Sequence, residues 1–204
     1  MEIFSQVEGL VKSPVSSIID ERVKSFLDAG KQGNEKLFLE LSFCILTANT
    51  SAEMGIRVQK EIGDGFIYLS SDELRSRLKE VKYRFYNVRS SFIVSARSII
   101  DDLAHVVRDM DHSEARDYIV ENVKGIGYKE ASHFLRNVGI FDFAILDKHI
   151  MKLLSESYTV KKNTTKDNYI YNENIFKTIS ESFGIAPGIL DLYAWYLVTG
   201  KILK

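Results

Sequence analysis

Nine consecutive residues, Val123-Lys124-Gly125-Ile126-Gly127-Tyr128-Lys129-Glu130-Ala131, carry the densest chemical signal in the chain. Two glycines one residue apart allow a tight turn through positive φ. They also uncover backbone N–H groups at the start of a helix, which the pattern predicts over residues 128–138. Exposed donors and the positive end of the helix dipole together suit a phosphate. The spacing is not that of a P-loop, and the third glycine of a dinucleotide fingerprint is missing. On residue types alone, a bare turn fits the Gly-x-Gly pair as well as a phosphate cradle does.

A hairpin of this kind needs helices on both sides, and the pattern is helical almost throughout. Residues 6–10 and 15–26 read as amphipathic helices broken near Pro14, followed by a loop over residues 29–33. Asn34 is the expected N-cap of the next helix. That helix carries Leu37, Phe38, Leu41, Cys44, Ile45 and Ala48 on one face and Leu39, Phe43 and Leu46 on the other. A helix apolar nearly all round belongs at the centre of a fold. A helix from Ser51 should close at Gly63-Asp64-Gly65, and Ser70 with Glu73 fits a capping box. Further helices are expected over residues 87–100, 113–122 and 148–154. The polar stretch 160–174, including Asn163 and Thr164, reads as a surface loop, and residues 189–197 as a docked apolar segment. Strand alternation is scarce, so the fold class is all-α, with about ten helices.

Composition narrows the classes of function. The 204-residue chain is 45% hydrophobic and 27% charged with two prolines, unlike a disordered chain. Its single cysteine, Cys44, excludes an intrachain disulfide and a four-cysteine zinc or iron–sulfur site. His105, His112, His133 and His149 are scattered without metal-ligand spacing, so no catalytic metal is expected. No apolar run approaches the ~20 residues of a membrane span. Glu2 stands where a signal peptide would be basic. The expectation is a soluble cytoplasmic protein with no targeting signal. Net charge is −1, yet Arg75, Arg77, Lys79, Lys82, Arg84, Arg89 and Arg97 face one acid, Glu80, in their window. That window reads either as a face for an anionic partner or as a solvated, salt-bridged helix face.

The stretch from Gly125 to Ala131 resembles the helix-hairpin-helix motif of DNA base-excision glycosylases. Lys129 falls where the bifunctional members carry their nucleophile. Asp147, in Ile145-Leu146-Asp147-Lys148-His149, follows 18 positions later, as the superfamily's aspartate does. The Gly-Pro that often accompanies this aspartate is absent. A closer resemblance, to the archaeal-type (type-2) 8-oxoguanine DNA glycosylases, rests on blocks along nearly the whole chain. They include Ile45-Leu46-Thr47-Ala48-Asn49, Arg84-Phe85-Tyr86, Asp191-Leu192-Tyr193-Ala194-Trp195 and Thr199-Gly200-Lys201-Ile202-Leu203-Lys204.

The resemblance implies an all-α helix-hairpin-helix glycosylase fold with a cleft between two helical lobes. One lobe covers about residues 34–141, with the hairpin at 123–128; the other covers about 1–33 plus 142–204. It implies double-stranded DNA containing 8-oxoguanine as partner, no membrane, and a monomer. The target base must be flipped out of the stack. Lys129, as a neutral amine, would attack C1′ and form a Schiff base, and β-elimination would then nick the strand, so the enzyme would be an abasic-site lyase as well. Asp147 would balance positive charge on the sugar while capping its helix, two compatible roles.

Phe85 and Trp195 would sandwich the flipped base, with core packing as the plain alternative for each. Lys204 would help read 8-oxoguanine, and Asp191, one turn before Trp195, would accept from the base edge. Gly125, Gly127, Asn49 and Arg84 would contact DNA, Asn49 entering the gap left by the flipped nucleotide or serving only as a helix C-cap. No cofactor is required. A structural monovalent cation is implied on the main-chain carbonyls of Glu121, Val123 and Ile126. Two alternatives stand beside this: a bifunctional glycosylase for another oxidised base, and a non-catalytic hairpin module. The second has no need of the Lys129/Asp147 pair.

Overall fold

A computed structural model describes residues 2–162 and 165–204, with side chains from residue 6. The chain forms α1 (Glu2–Val11), α2 (Val15–Gly30), α3 (Asn34–Thr47), α4 (Ala52–Ile62), α5 (Gly65–Tyr68), α6 (Ser71–Glu80) and α7 (Tyr86–Ala96). A 3₁₀ turn (Arg97–Asp102) leads into α8 (Leu103–Arg108) and α9 (His112–Asn122). Then follow α10 (Tyr128–Asn137), α11 (Lys148–Ser155), α12 (Lys166–Phe183) and α13 (Pro187–Thr199). Among the described residues there is no strand.

Helix ends follow local chemistry. The Ser51 hydroxyl accepts from Met54 N–H, and α4 stops at Gly63. Ser70 and Glu73 exchange hydrogen bonds across the first turn of α6, satisfying two otherwise orphaned donors. Asp111 and Thr165 cap α9 and α12.

Apolar side chains sort into two clusters. The first runs from Leu37 to Phe143 and has α3 at its centre, where every residue from Leu41 to Thr47 is buried. The second joins Val7, Ile19 and Phe26 to residues from Ala144 onward. Two buried ion pairs link α9 and α10 to the last two helices: Arg116 to Glu173 at 2.7 Å and Arg136 to Asp191 at 2.8 Å. At the end of α2, the absence of a side chain at Gly30 lets that helix meet α10: a Cβ there would stand 2.2 Å from the Val138 carbonyl oxygen.

Several expectations need correction. Gly33, not Asn34, holds the cap position of α3. The Asn34 side chain instead donates to the Asp101 carbonyl and accepts from Ala104 N–H, a long-range clasp invisible to local spacing. The helix expected over 87–100 is α7 followed by the 3₁₀ turn. The polar stretch 160–174 is mostly helix, since α12 begins at Lys166; Asn163 and Thr164 lie outside the described residues. Its polar face is solvated while Tyr169, Asn172 and Glu173 turn inward, a periodicity that the polar composition hid. The basic window is mostly exposed, with Arg89 buried and Arg97 partly buried. Arg75 and Arg77 pair with Asp72 and Glu80, and Arg97 donates to the carbonyls of Phe66 and Leu69.

Candidate active site

The hairpin turns at Gly125, whose φ of +80° suits glycine. A Cβ there would stand 2.3 Å from a Phe92 ring carbon and 2.5 Å from Arg89 Nη1. Arg89 is buried and donates to the Gly125 carbonyl and to the Ala48 carbonyl, each at 3.2 Å. It therefore ties the hairpin to the loop that carries Asn49. Asn49 follows the C-cap of α3 with φ +62°, a conformation asparagine tolerates.

Gly127 is the N-cap of α10, and its N–H donates to a Glu130 carboxylate oxygen at 3.4 Å. The other Glu130 oxygen lies 2.9 Å from the ammonium of Lys129. Lys129 thus sits in the first turn of α10, one-third exposed. His133 and Arg136 follow at four and seven residues, on the same helix face.

An irregular segment returns the chain from Phe143 to Asp147. Tyr169 pins it, donating to the Ala144 carbonyl at 2.7 Å and accepting from Leu146 N–H at 3.3 Å. One Asp147 oxygen accepts from His149 N–H and Ile150 N–H, capping α11, and the other accepts from the indole N–H of Trp195 at 3.0 Å. The His149 ring meets Trp195 edge-on at 5.8 Å.

These groups surround one cavity of about 340 Å³. Lys129, His133 and Arg136 line it from α10, Asp147 and His149 from the head of α11, Asp191 and Trp195 from α13, and residues 201–204 close it. Three buried polar atoms of this lining have no hydrogen-bond partner: Asp191 Oδ1, His133 Nε2 and Arg136 Nε. Orphaned buried groups are costly, so a polar cavity of this kind favours a ligand with its own donors and acceptors. Burial pushes the Asp191 carboxyl up to about 7, against the opposing pull of Arg136. Burial also holds the His133 imidazole well below the usual histidine range.

Of the residues expected at the site, Lys129, Asp147, Trp195, Asp191 and Lys204 come together here. Asp191 does so as the buried counter-charge of Arg136, with Oδ1 left over. Gly127 lines an adjoining cavity of about 320 Å³ that also reaches Lys129. Phe85, Arg84, Asn49 and Gly125 are not among the residues lining the main cavity. Phe85 stands at the head of α7, edge-on to Tyr83 at 6.4 Å and beneath the Arg84 guanidinium at 5.0 Å. His133 and Arg136 were not expected at the site, although their helical spacing from Lys129 is legible in the sequence.

The sequence profile of the 8-oxoguanine DNA glycosylase family matches residues 19–185. A Thermoplasma acidophilum protein named 8-oxoguanine DNA glycosylase/AP lyase is 61% identical over 204 residues, covering 100% of both chains. The crystal structure of a Methanocaldococcus jannaschii 8-oxoguanine glycosylase/lyase with a 15mer DNA containing 8-oxoguanine superposes with a TM-score of 0.96 at 45% identity, covering 100% of both chains. The 8-oxoguanine DNA glycosylase of Thermotoga maritima gives a TM-score of 0.95 at 44% identity, over 100% of this chain and 99% of that one.

Proposed function

The chain belongs to the 8-oxoguanine DNA glycosylase family, and from that premise we infer how its own residues carry out base-excision repair. It is a DNA glycosylase with abasic-site lyase activity, acting on DNA that contains 8-oxoguanine. Among the described residues no helix is long and apolar enough to cross a membrane.

The observation that carries the residue assignment is the convergence of Lys129 and Asp147 on one cavity. Lys129 is the nucleophile. Its neutral amine attacks C1′ of the flipped nucleotide, and the electron pair of the N-glycosidic bond leaves with the base. Loss of a proton from nitrogen and opening of the sugar ring give the Schiff base. Removal of a C2′ proton then expels the 3′ phosphate and nicks the strand. Asp147, held by two backbone N–H groups and the Trp195 indole, is the fixed negative charge opposite the sugar as positive charge develops. Trp195 offers its ring as a stacking surface for the base, worth about 1–3 kcal/mol. Phe85 as the second stacking face, and Arg84, Asn49, Gly125 and Gly127 as DNA contacts, belong to the DNA-bound arrangement.

We assign the cleft to the boundary between a lobe of residues 34–141 and one formed by 1–33 with 142–204, following the two apolar clusters. The carbonyls of Glu121, Val123 and Ile126 are neutral hard oxygens suited to a monovalent cation. Val123 accepts only a long bond, 3.4 Å, from Ile126 N–H. Such a cation would steady the hairpin and take no part in bond breaking.

Borohydride trapping tests the reading on three duplexes, carrying 8-oxoguanine, no lesion, or an abasic site. A covalent adduct with the 8-oxoguanine strand that disappears in Lys129→Gln is expected. An adduct with abasic DNA alone would keep the amine chemistry and point to another oxidised base. Binding without any adduct would leave a phosphate-gripping module.

A further inference from the structure

Lys204 reaches the base cavity with its ammonium already engaged. Its Nζ lies 2.7 and 3.0 Å from the two carboxylate oxygens of Glu40 on α3. It also stands 4.7 Å from the ring centroid of Phe43, three residues further along the same helix. Both partners of the ion pair are about four-fifths buried, with side-chain exposures of 19% and 18%. Gln59 of α4 steadies the carboxylate, donating to the Leu39 carbonyl at 2.9 Å and approaching Glu40 Oε1 at 3.5 Å. A second pair, Lys201 to Glu53 at 2.8 Å, holds the same segment three residues earlier.

Glu40 is not among the residues lining the cavity; Lys204 is. Residues 201–204 continue from α13, whose Leu190, Leu192, Tyr193 and Ala194 belong to the second apolar cluster, whereas α3 is the centre of the first. The clamp therefore crosses from one cluster to the other and fixes one wall of the cavity. A partly buried, two-oxygen ion pair holds geometry far better than a surface pair, because little water competes for either charge. Geometry is what base selection needs. 8-Oxoguanine differs from guanine by a donor at N7 and an oxygen at C8. Such a small difference is rejected only when the site's own polar groups cannot shift to accommodate the wrong base.

We propose that Glu40 is a positioning residue for base selection: by clamping Lys204 it sets residues 201–204 as a rigid wall against which the oxidised base is read. The proposal rests on the 8-oxoguanine excision reading and adds to it a residue that acts through Lys204.

The test uses the full chain, with Glu40→Gln, Lys204→Met and the double variant, under single-turnover conditions. Substrates are duplexes carrying 8-oxoguanine, guanine or an abasic site. An abasic site requires the amine chemistry of Lys129 but no seated base, so it separates base positioning from general damage to the fold. Glu40→Gln is expected to slow 8-oxoguanine excision about tenfold or more, the scale of one lost charge-assisted contact. It should narrow the preference over guanine and still nick abasic DNA within about twofold of the parent. Because Glu40 acts through Lys204, the double variant should excise no more slowly than the slower single variant.

Unchanged excision in Glu40→Gln overturns the proposal. So does an equal fall in excision and abasic nicking, which is what a merely structural residue would give, and so do losses that multiply in the double variant. If the parent chain nicks abasic DNA but excises no 8-oxoguanine, the underlying reading fails and the proposal falls with it.

Discussion

Asp147 divides its carboxylate between two partners: Oδ1 caps α11 through His149 N–H and Ile150 N–H, while Oδ2 accepts the indole N–H of Trp195 at 3.0 Å. One side chain thus sets the start of a helix, the tilt of an aromatic face and the position of a negative charge. Asp147→Asn can keep the cap through its remaining oxygen but loses the charge and, with that oxygen on the cap, turns an amide N–H₂ toward the indole donor. The variant should lose about 1 kcal/mol of stability or less in a thermal melt. Its excision rate should fall about a hundredfold or more. Excision at the parent rate would remove Asp147 from the chemistry.

Lys129 makes one ion pair, with Glu130, and that pair is partly exposed. Such pairs contribute about 1 kcal/mol or less. Lys129→Gln should therefore melt within a few degrees of the parent and bind lesion duplex with similar affinity, while strand cleavage and the borohydride adduct vanish. A gel-shift titration beside the trapping assay checks both halves. Loss of binding together with activity would indicate a damaged fold instead of a missing nucleophile.

Gly125 combines a φ of +80° with contacts that leave no room for a side chain. In Gly125→Ala, both the Phe92 ring and the Arg89 guanidinium must move, and Arg89 is the link from the hairpin to the Ala48 carbonyl. The expected cost is about 1–3 kcal/mol. On the proposal that the hairpin grips the DNA backbone, affinity should fall for damaged and undamaged duplexes alike. Chemical denaturation and binding at fixed salt measure the two effects. A selective loss for 8-oxoguanine DNA would contradict the assignment.

The Asp191 carboxyl is raised by burial from its ordinary 3.8 to about 7, with Arg136 at 2.8 Å and the Asp147 charge as its neighbours. Between those values the native state holds a proton that the unfolded chain has lost. The stabilisation from this group is therefore complete below the unfolded value and is lost as pH rises toward 7. His133 has the opposite sign: its imidazole is held below 6.5, so its contribution falls away as pH drops through that value. Asp191→Asn removes the carboxyl and leaves the imidazole, which isolates the first effect. The melting-temperature margin of the parent over the variant should narrow between pH 5 and pH 7.5. A margin that widens would mean that Arg136 outweighs burial.

Reading the sequence was most reliable where the cause is local. Ser51, the Ser70/Glu73 box and the Asp147 cap each act within one helical turn, and all three are present. The apolar girdle of α3 reported its own burial. Asn34 and α12 went astray for different reasons. The first is satisfied some 67 and 70 residues away, and the second hides its inward residues among polar ones.

What the residues alone determined, then, is the helical class and the glycine turn at Gly125 and Gly127, which follow from periodicity and backbone conformation that a linear chain displays; the candidate pair Lys129 and Asp147 came from the resemblance to a known family. Tertiary structure decided which groups share a cavity. It brought His133, Arg136 and Trp195 to that pair, withdrew Arg89 and Arg97 from the surface, and set Glu40 against Lys204 across 164 positions. Such contacts depend on how helices pack, and packing is a property of volumes and orphaned polar groups summed over the whole chain, with no signature at any single position.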